Sequence, residues 1–219
     1  MRVTLGGVLA LTAVIALPVA VIALSMRRRP VDDVITRGSA RGRDGLAIHP
    51  WRGHPVVLVL GWVLVAGVVA LGLWYLPSAP YAAAFCLVGG GLMGYVGWAR
   101  ATGRAGDGTL TFTPEGLYQL YGGSEVFVPW DVVRGLVTTP TDFIVETTRP
   151  VVPIHRMLPL FGRRGVVLDE AIGLPRRGLP PLPYQEMVAL YATDEAARDE
   201  LAGDEPVNRA RAIVSELSS

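Results

Sequence analysis

Gly89, Gly91 and Gly94 spell G-x-G-x-x-G, the spacing with which a loop can lay backbone N–H groups against the pyrophosphate of a dinucleotide. That chemistry requires a strand before the motif, a helix N-terminus after it and an acidic residue about 20 positions further on. Here the glycines fall inside Tyr81–Ala99, a stretch without a charge. A second spacing suits that setting better. Ala82, Cys86, Gly90 and Gly94 recur at every fourth residue, a small-residue stripe that lets another helix approach closely. The stretch is therefore read as a helix-packing seam, with the preceding apolar helix as its partner, and not as a cofactor site.

The remaining reactive residue types are sparse. His49, His54 and His155 are scattered, and His49 and His54 flank Trp51 without a metal-ligand spacing, so they read as surface histidines. The lone Cys86 excludes an internal disulfide and any multi-cysteine zinc site. H-E-x-x-H, G-x-S-x-G and P-loop patterns are missing. The expectation is a non-enzymatic chain with no catalytic residues, no cofactor and no metal.

The elements that must position any function are set by composition. Hydrophobic residues make up 51% of the 219 and charged residues 18%, against about 25% charged in ordinary soluble domains. Val3–Met26, Val56–Leu76 and Tyr81–Ala99 each run without a charge, and a hydrocarbon core of about 30 Å needs about 20 helical residues. Three transmembrane helices are expected, at 1–26, 56–76 and 81–99. Arg27-Arg28-Arg29 directly after the first segment disfavours its cleavage as a signal peptide. The intervening loop 27–55 carries Arg27, Arg28, Arg29, Arg37, Arg41, Arg43 and Arg52 against three aspartates, whereas the turn 77–80 is uncharged. Positive residues stay inside. This places the N-terminus and the 77–80 turn outside, and the Arg-rich loop and everything after Arg100 in the cytoplasm, in a multi-pass cell-membrane protein.

Residues 105–192 read as a cytoplasmic domain and 193–219 as a C-terminal helical extension. Thr109–Thr113 alternates polar and apolar side chains, and Pro114-Glu115-Gly116 and Gly122-Gly123-Ser124 are turn signals. Strands are expected at 109–113, 117–121, 125–130, 142–147, 151–156 and 166–168. Tyr184, Met187, Val188 and Tyr191 share a helical face. Thr193 or Asp194 can cap a helix through Leu201 that Gly203 terminates, and Val207, Ala210, Val214 and Leu217 form the stripe of a last helix.

The segment TLTFTPEGLYQLYGGSEVFVPWDVVRGLV, residues 109–137, resembles the opening of a bacterial PH-like domain, with Val128-Pro129-Trp130-Asp131-Val132-Val133 at the position of that family's [VI]-x-W-x-x-[VI] turn. The tail 191–205 is similar to the ends of actinobacterial membrane proteins of this kind. The resemblance implies a curved antiparallel sheet closed by a C-terminal helix, an α+β PH-like domain, and brings no assigned function with it. From Thr109 to Asp131 there is no basic residue, which argues against a specific phosphoinositide site. Residues 101–219 hold eleven arginines against sixteen acids, which argues against nucleic acid. The reading reached is a membrane-anchored interaction module for an unidentified protein or peptide partner. Its alternatives are a sensor of anionic lipid using Arg27, Arg28, Arg29, Arg156, Arg163 and Arg164, and an accessory subunit of a membrane complex.

Overall fold

A computed structural model describes residues 29–51, 55–158, 167–176 and 178–218. The chain divides into two compact units, and the second is discontinuous: Arg29–Trp51 joins Thr102–Ser219, while Arg52–Ala101 belongs to the other. In the discontinuous unit, helix α1 (Val31–Val34) leads into strands β1 (Ile35–Ala40) and β2 (Arg43–Ile48). Arg41 and Gly42 join them at φ 54° and 80°. Two positive φ values are what a two-residue turn needs to match the strand twist.

The chain then forms α2 (Pro55–Tyr75) and α3 (Pro80–Ala101), and returns as β3 (Asp107–Thr113). β3 pairs antiparallel with β2, Leu46 opposite Phe112 and Ile48 opposite Leu110. There follow β4 (Gly116–Tyr121), β5 (Ser124–Pro129), a 3-10 turn at Trp130–Val132, β6 (Val133–Thr138), β7 (Asp142–Thr147), β8 (Ile154–His155), β9 (Val167–Leu168) and β10 (Ala171–Pro175). Helices α4 (Tyr184–Thr193), α5 (Glu195–Arg198) and α6 (Glu205–Ser218) complete the chain, with a 3-10 turn at Asp199–Ala202. One sheet has the order β1-β2-β3-β4-β5-β8 and the other β6-β7-β10-β9.

A single cluster of buried side chains draws on both sheets and the C-terminal helices, among them Ile48, Phe112, Leu117, Phe143, Ile172, Tyr191 and Val214. Trp130 sits at its centre. Its ring lies 6.2 Å from Phe112 and 5.8 Å from Tyr191 between centroids, and its indole N–H donates to the Thr113 carbonyl at 2.8 Å. The tryptophan of the 128–133 motif is therefore a core anchor with its one polar atom satisfied. Gln119, 1% exposed, donates to the Gly108 and Pro175 carbonyls and ties the two sheets together.

The structure corrects the expected architecture of three transmembrane helices followed by a separate PH-like domain. The fold is α+β: a helical hairpin, antiparallel sheets and C-terminal helices. Among the described residues one helix, Pro80–Ala101, is long and apolar enough to cross a membrane, and the apolar run described in its partner, Val59–Tyr75, is shorter. The first expected segment, 1–26, lies outside the described residues. The stretch 27–55 is also more than a loop, since residues 31–48 supply a helix and two strands of the larger sheet. Hydropathy overlooked these strands because β1 is an edge strand whose only covered positions at its ends are Ile35 and Ala40. Its polar middle reads as a loop until β2 is laid beside it.

Candidate functional site

Strand β5 is the last long strand at its end of the larger sheet. β8 covers it over two residues only, Ser124 opposite His155 and Glu125 opposite Ile154. Beyond Glu125, a cavity of about 250 Å³ is lined by Phe127 and Pro129 of β5, by Val132, and by Arg149–Val152 and Ile154. Part of the wall is apolar and open: Val152 and Ile154 are 78% and 51% exposed.

The backbone direction along β5 follows from two hydrogen bonds. The Trp130 N–H donates to Glu115 O on the β4 side, and the Arg156 N–H donates to Gly123 O on the β8 side. Adjacent residues of a strand turn their backbone groups to opposite edges. Ser124, Val126 and Val128 therefore bond β4, while Glu125, Phe127 and Pro129 face outward. β8 takes Glu125. The outward N–H and C=O of Phe127 and the C=O of Pro129 border the groove with no strand partner among the described residues.

Charge around the groove is uneven. Arg41, in the β1–β2 turn, holds its guanidinium over the Phe127 ring at 4.7 Å from the centroid. Arg149 pairs with Asp131 at 3.3 Å, both side chains about two-thirds exposed. The carboxylate lining the groove, Glu125, is 5% exposed and ion-paired to Arg156. It also engages the Tyr118 hydroxyl, whose pKa is raised first by burial and then by the Glu125 charge. Glu125 is thus offset by Arg156 as Arg149 is by Asp131, which leaves Arg41 to set the sign of the site.

Of the arginines expected to face a membrane, Arg29 and Arg156 lie among the described residues. Arg156 is committed to Glu125. Arg29 donates its backbone N–H to Trp51 O at 2.8 Å, joining the two ends of the segment that precedes the hairpin. Arg27, Arg28, Arg163 and Arg164 lie outside the described residues. The acidic tail is engaged as well: Arg37 bonds Asp204, Arg209 bonds Glu200 and Glu205, and Arg211 pairs with Asp32. Exposed pairs of this kind contribute about 0–1 kcal/mol each, so they orient the tail more than they hold it.

His49 is the residue that sequence reasoning misplaced. It is half-buried between strands, its Nδ1 2.8 Å from Thr109 Oγ1 and its Nε2 3.2 Å from Thr36 Oγ1. Thr109 Oγ1 donates to Asp107 Oδ1 at 2.6 Å. Nothing local could have found this, because its partners lie on two other strands, β1 and β3. Among the described residues no group of three or more His, Cys, Asp or Glu side chains is placed to hold a metal ion; His54 lies outside them.

In the helical unit the small residues of α3 face α2, with one shift. A Cβ added at Gly90 would stand 2.7 Å from Val69 Cγ2, and at Gly94 3.6 Å from Val65 Cγ1. Cys86 Cβ lies 3.1 Å from the Cβ position of Gly72. Ala82, however, is exposed, and Ala83 is the buried residue at that level. Four residues turn a helix through about 400°, so a strict four-residue repeat drifts off the seam, and a step of three restores it. Gly89 and Gly91 border open space.

Comparison of the chain with protein-family models, curated proteins and solved structures returned no match.

Proposed function

We propose that this chain is a bilayer-anchored, non-enzymatic interaction module, its sheet unit presented at the cytoplasmic face to a protein or peptide partner. One observation carries the reading: an apolar helical hairpin is inserted between β2 and β3, two strands that pair with each other. Paired strands lie on one side of any membrane, so an insert between them must return to the side it left, as a pair of helices does. The hairpin presents Trp74, Tyr81 and Phe85 at 79%, 92% and 82% exposure. The most apolar window of α3 is only 17% buried, where the core helix of a folded domain is mostly buried. Exposed apolar surface on this scale calls for a covering, and lipid is the covering that the length of α3 suits. Arginines at both ends of the insert, from Arg29 to Arg104, favour the cytoplasmic side for the sheet unit.

Alkaline carbonate extraction of native membranes, followed by crosslinking and mass spectrometry, tests both halves. The chain should stay with the membrane pellet, and the sheet unit should crosslink repeatedly to one protein. Release into the supernatant would sink the anchor, and recovery of bulk membrane proteins only would sink the module.

A further inference from the structure

We propose that the groove beside β5 binds an extended acidic peptide segment of a partner protein by strand addition. The peptide backbone pairs with Phe127, and its carboxylates meet Arg41 and Arg149. This rests on the interaction-module reading above and names its site and ligand chemistry.

Three observations converge. The first is the backbone. Phe127 offers an outward N–H and C=O, the complete set that one residue of an added antiparallel strand needs for two hydrogen bonds. Pro129 ends the ladder on one side, since it has no N–H to give, and β8 ends it on the other. The open edge is thus short, which limits indiscriminate sheet-to-sheet pairing and leaves room for a short segment. The second is the apolar wall, where Val152 and Ile154 are exposed beside that edge. An added strand sends alternate side chains to opposite faces, so every second residue of the peptide can cover this wall.

The third is charge. Arg41 lines the groove, and its described contact is the Phe127 ring rather than a carboxylate. Arg149 is held by Asp131 in an exposed pair that a ligand carboxylate can replace at little cost. Glu125 does not oppose an anionic ligand, because Arg156 already neutralises it. An anionic lipid headgroup would share the attraction to the arginines but has no backbone to pair with Phe127.

The test uses the full chain in nanodiscs and a displayed library of random peptides about ten residues long. Selection should enrich sequences in which Asp or Glu alternates with Val, Ile, Thr or aromatic residues. The double variant Arg41→Glu/Arg149→Glu, both changes at exposed positions, should enrich Lys and Arg instead while keeping its circular dichroism. N-methylating one inner residue of an enriched peptide should cost roughly tenfold in affinity or more, and methylating its neighbour should not, since alternate N–H groups face the edge. Absence of enrichment, indifference to the charge swap, or indifference to N-methylation would overturn the proposal. So would binding of phosphatidylglycerol vesicles at the two arginines with no peptide enriched. Crosslinks in native membranes that map to the sheet unit away from Phe127 and Val152 would remove this site and leave the module reading standing. No protein crosslinks at all would remove both.

Discussion

His49 Nδ1 lies 2.8 Å from Thr109 Oγ1 across sixty positions of sequence, joining the strand that enters the hairpin to the strand that leaves it. Thr109 has one hydroxyl proton, and it goes to Asp107 Oδ1 at 2.6 Å. Thr109 Oγ1 can therefore only accept from His49, which places the proton of the neutral imidazole on Nδ1. Nε2 then accepts from the Thr36 hydroxyl at 3.2 Å. The chain Thr36–His49–Thr109–Asp107 links β1, the end of β2, and β3 at the base of the insert.

This histidine makes stability depend on pH. Burial holds its pKa below the ordinary 6.5, Arg29 pushes the same way, and Asp107 opposes them. The unfolded chain, with a pKa near 6.5, takes up the proton first. The contribution is therefore complete above about pH 6.5 and is lost as pH falls through that value toward the lower folded pKa. Urea unfolding in detergent should show a falling midpoint from pH 7 to pH 5.5, and His49→Gln should flatten most of that slope. An equal slope in the variant would remove His49 from the account.

Glycines of α3 should differ sharply in what they tolerate. Gly90→Ala forces a methyl to within 2.7 Å of Val69 Cγ2 and should destabilise the hairpin by about 1–3 kcal/mol. Gly89→Ala and Gly91→Ala meet nothing within 4 Å and should be neutral or stabilising by up to about 1 kcal/mol through helix propensity. Thermal unfolding of the three variants in one detergent checks the order. A Gly90 variant as stable as the other two would mean that the seam is not the α2 contact described.

Arg156 should matter to the fold rather than to lipid. Arg156→Gln leaves Glu125, 5% exposed, without its countercharge and should cost about 1–2 kcal/mol, less than a fully buried pair because the Arg156 side chain is 45% exposed. Adding Glu125→Gln to that variant should recover part of the loss. Chemical denaturation of the two single variants and the double variant closes the cycle; strictly additive losses would show that the pair is not coupled.

Strand pairing constrains topology as well. Cysteines placed at Ser39 and Ser215, with Cys86 replaced by Ala, should react with a membrane-impermeant maleimide from the same side of sealed vesicles. A cysteine at Ser78, in the turn between α2 and α3, should react from the other. Labelling of all three from one side would leave the hairpin on the surface rather than across the bilayer.

Much of the sheet unit after the insert is legible locally. Turns at Pro114–Gly116 and Gly122–Gly123 separate strands β3, β4 and β5 as their alternation suggests, and Asp194 caps α5 through the Ala196 and Ala197 N–H groups. These are short-range effects, written in neighbouring residues. The edge strand β1, the insertion of the hairpin and the setting of His49 depend on partners far along the chain.

What the sequence determined by itself, then, is whatever a few adjacent residues decide: turn chemistry, helix capping and the apolar character of 59–75 and 80–101. Only the tertiary structure decided which residues of α3 form the seam, because a helix of 3.6 residues per turn carries a four-residue repeat off its own face. It also decided that residues 31–48 belong to the sheet, since a strand with a polar middle acquires its identity from the neighbour it bonds. The groove is of the same kind. The outward backbone of Phe127 exists as a feature only because β8 stops at Glu125, and the positive sign beside it only because Arg156 folds onto that carboxylate.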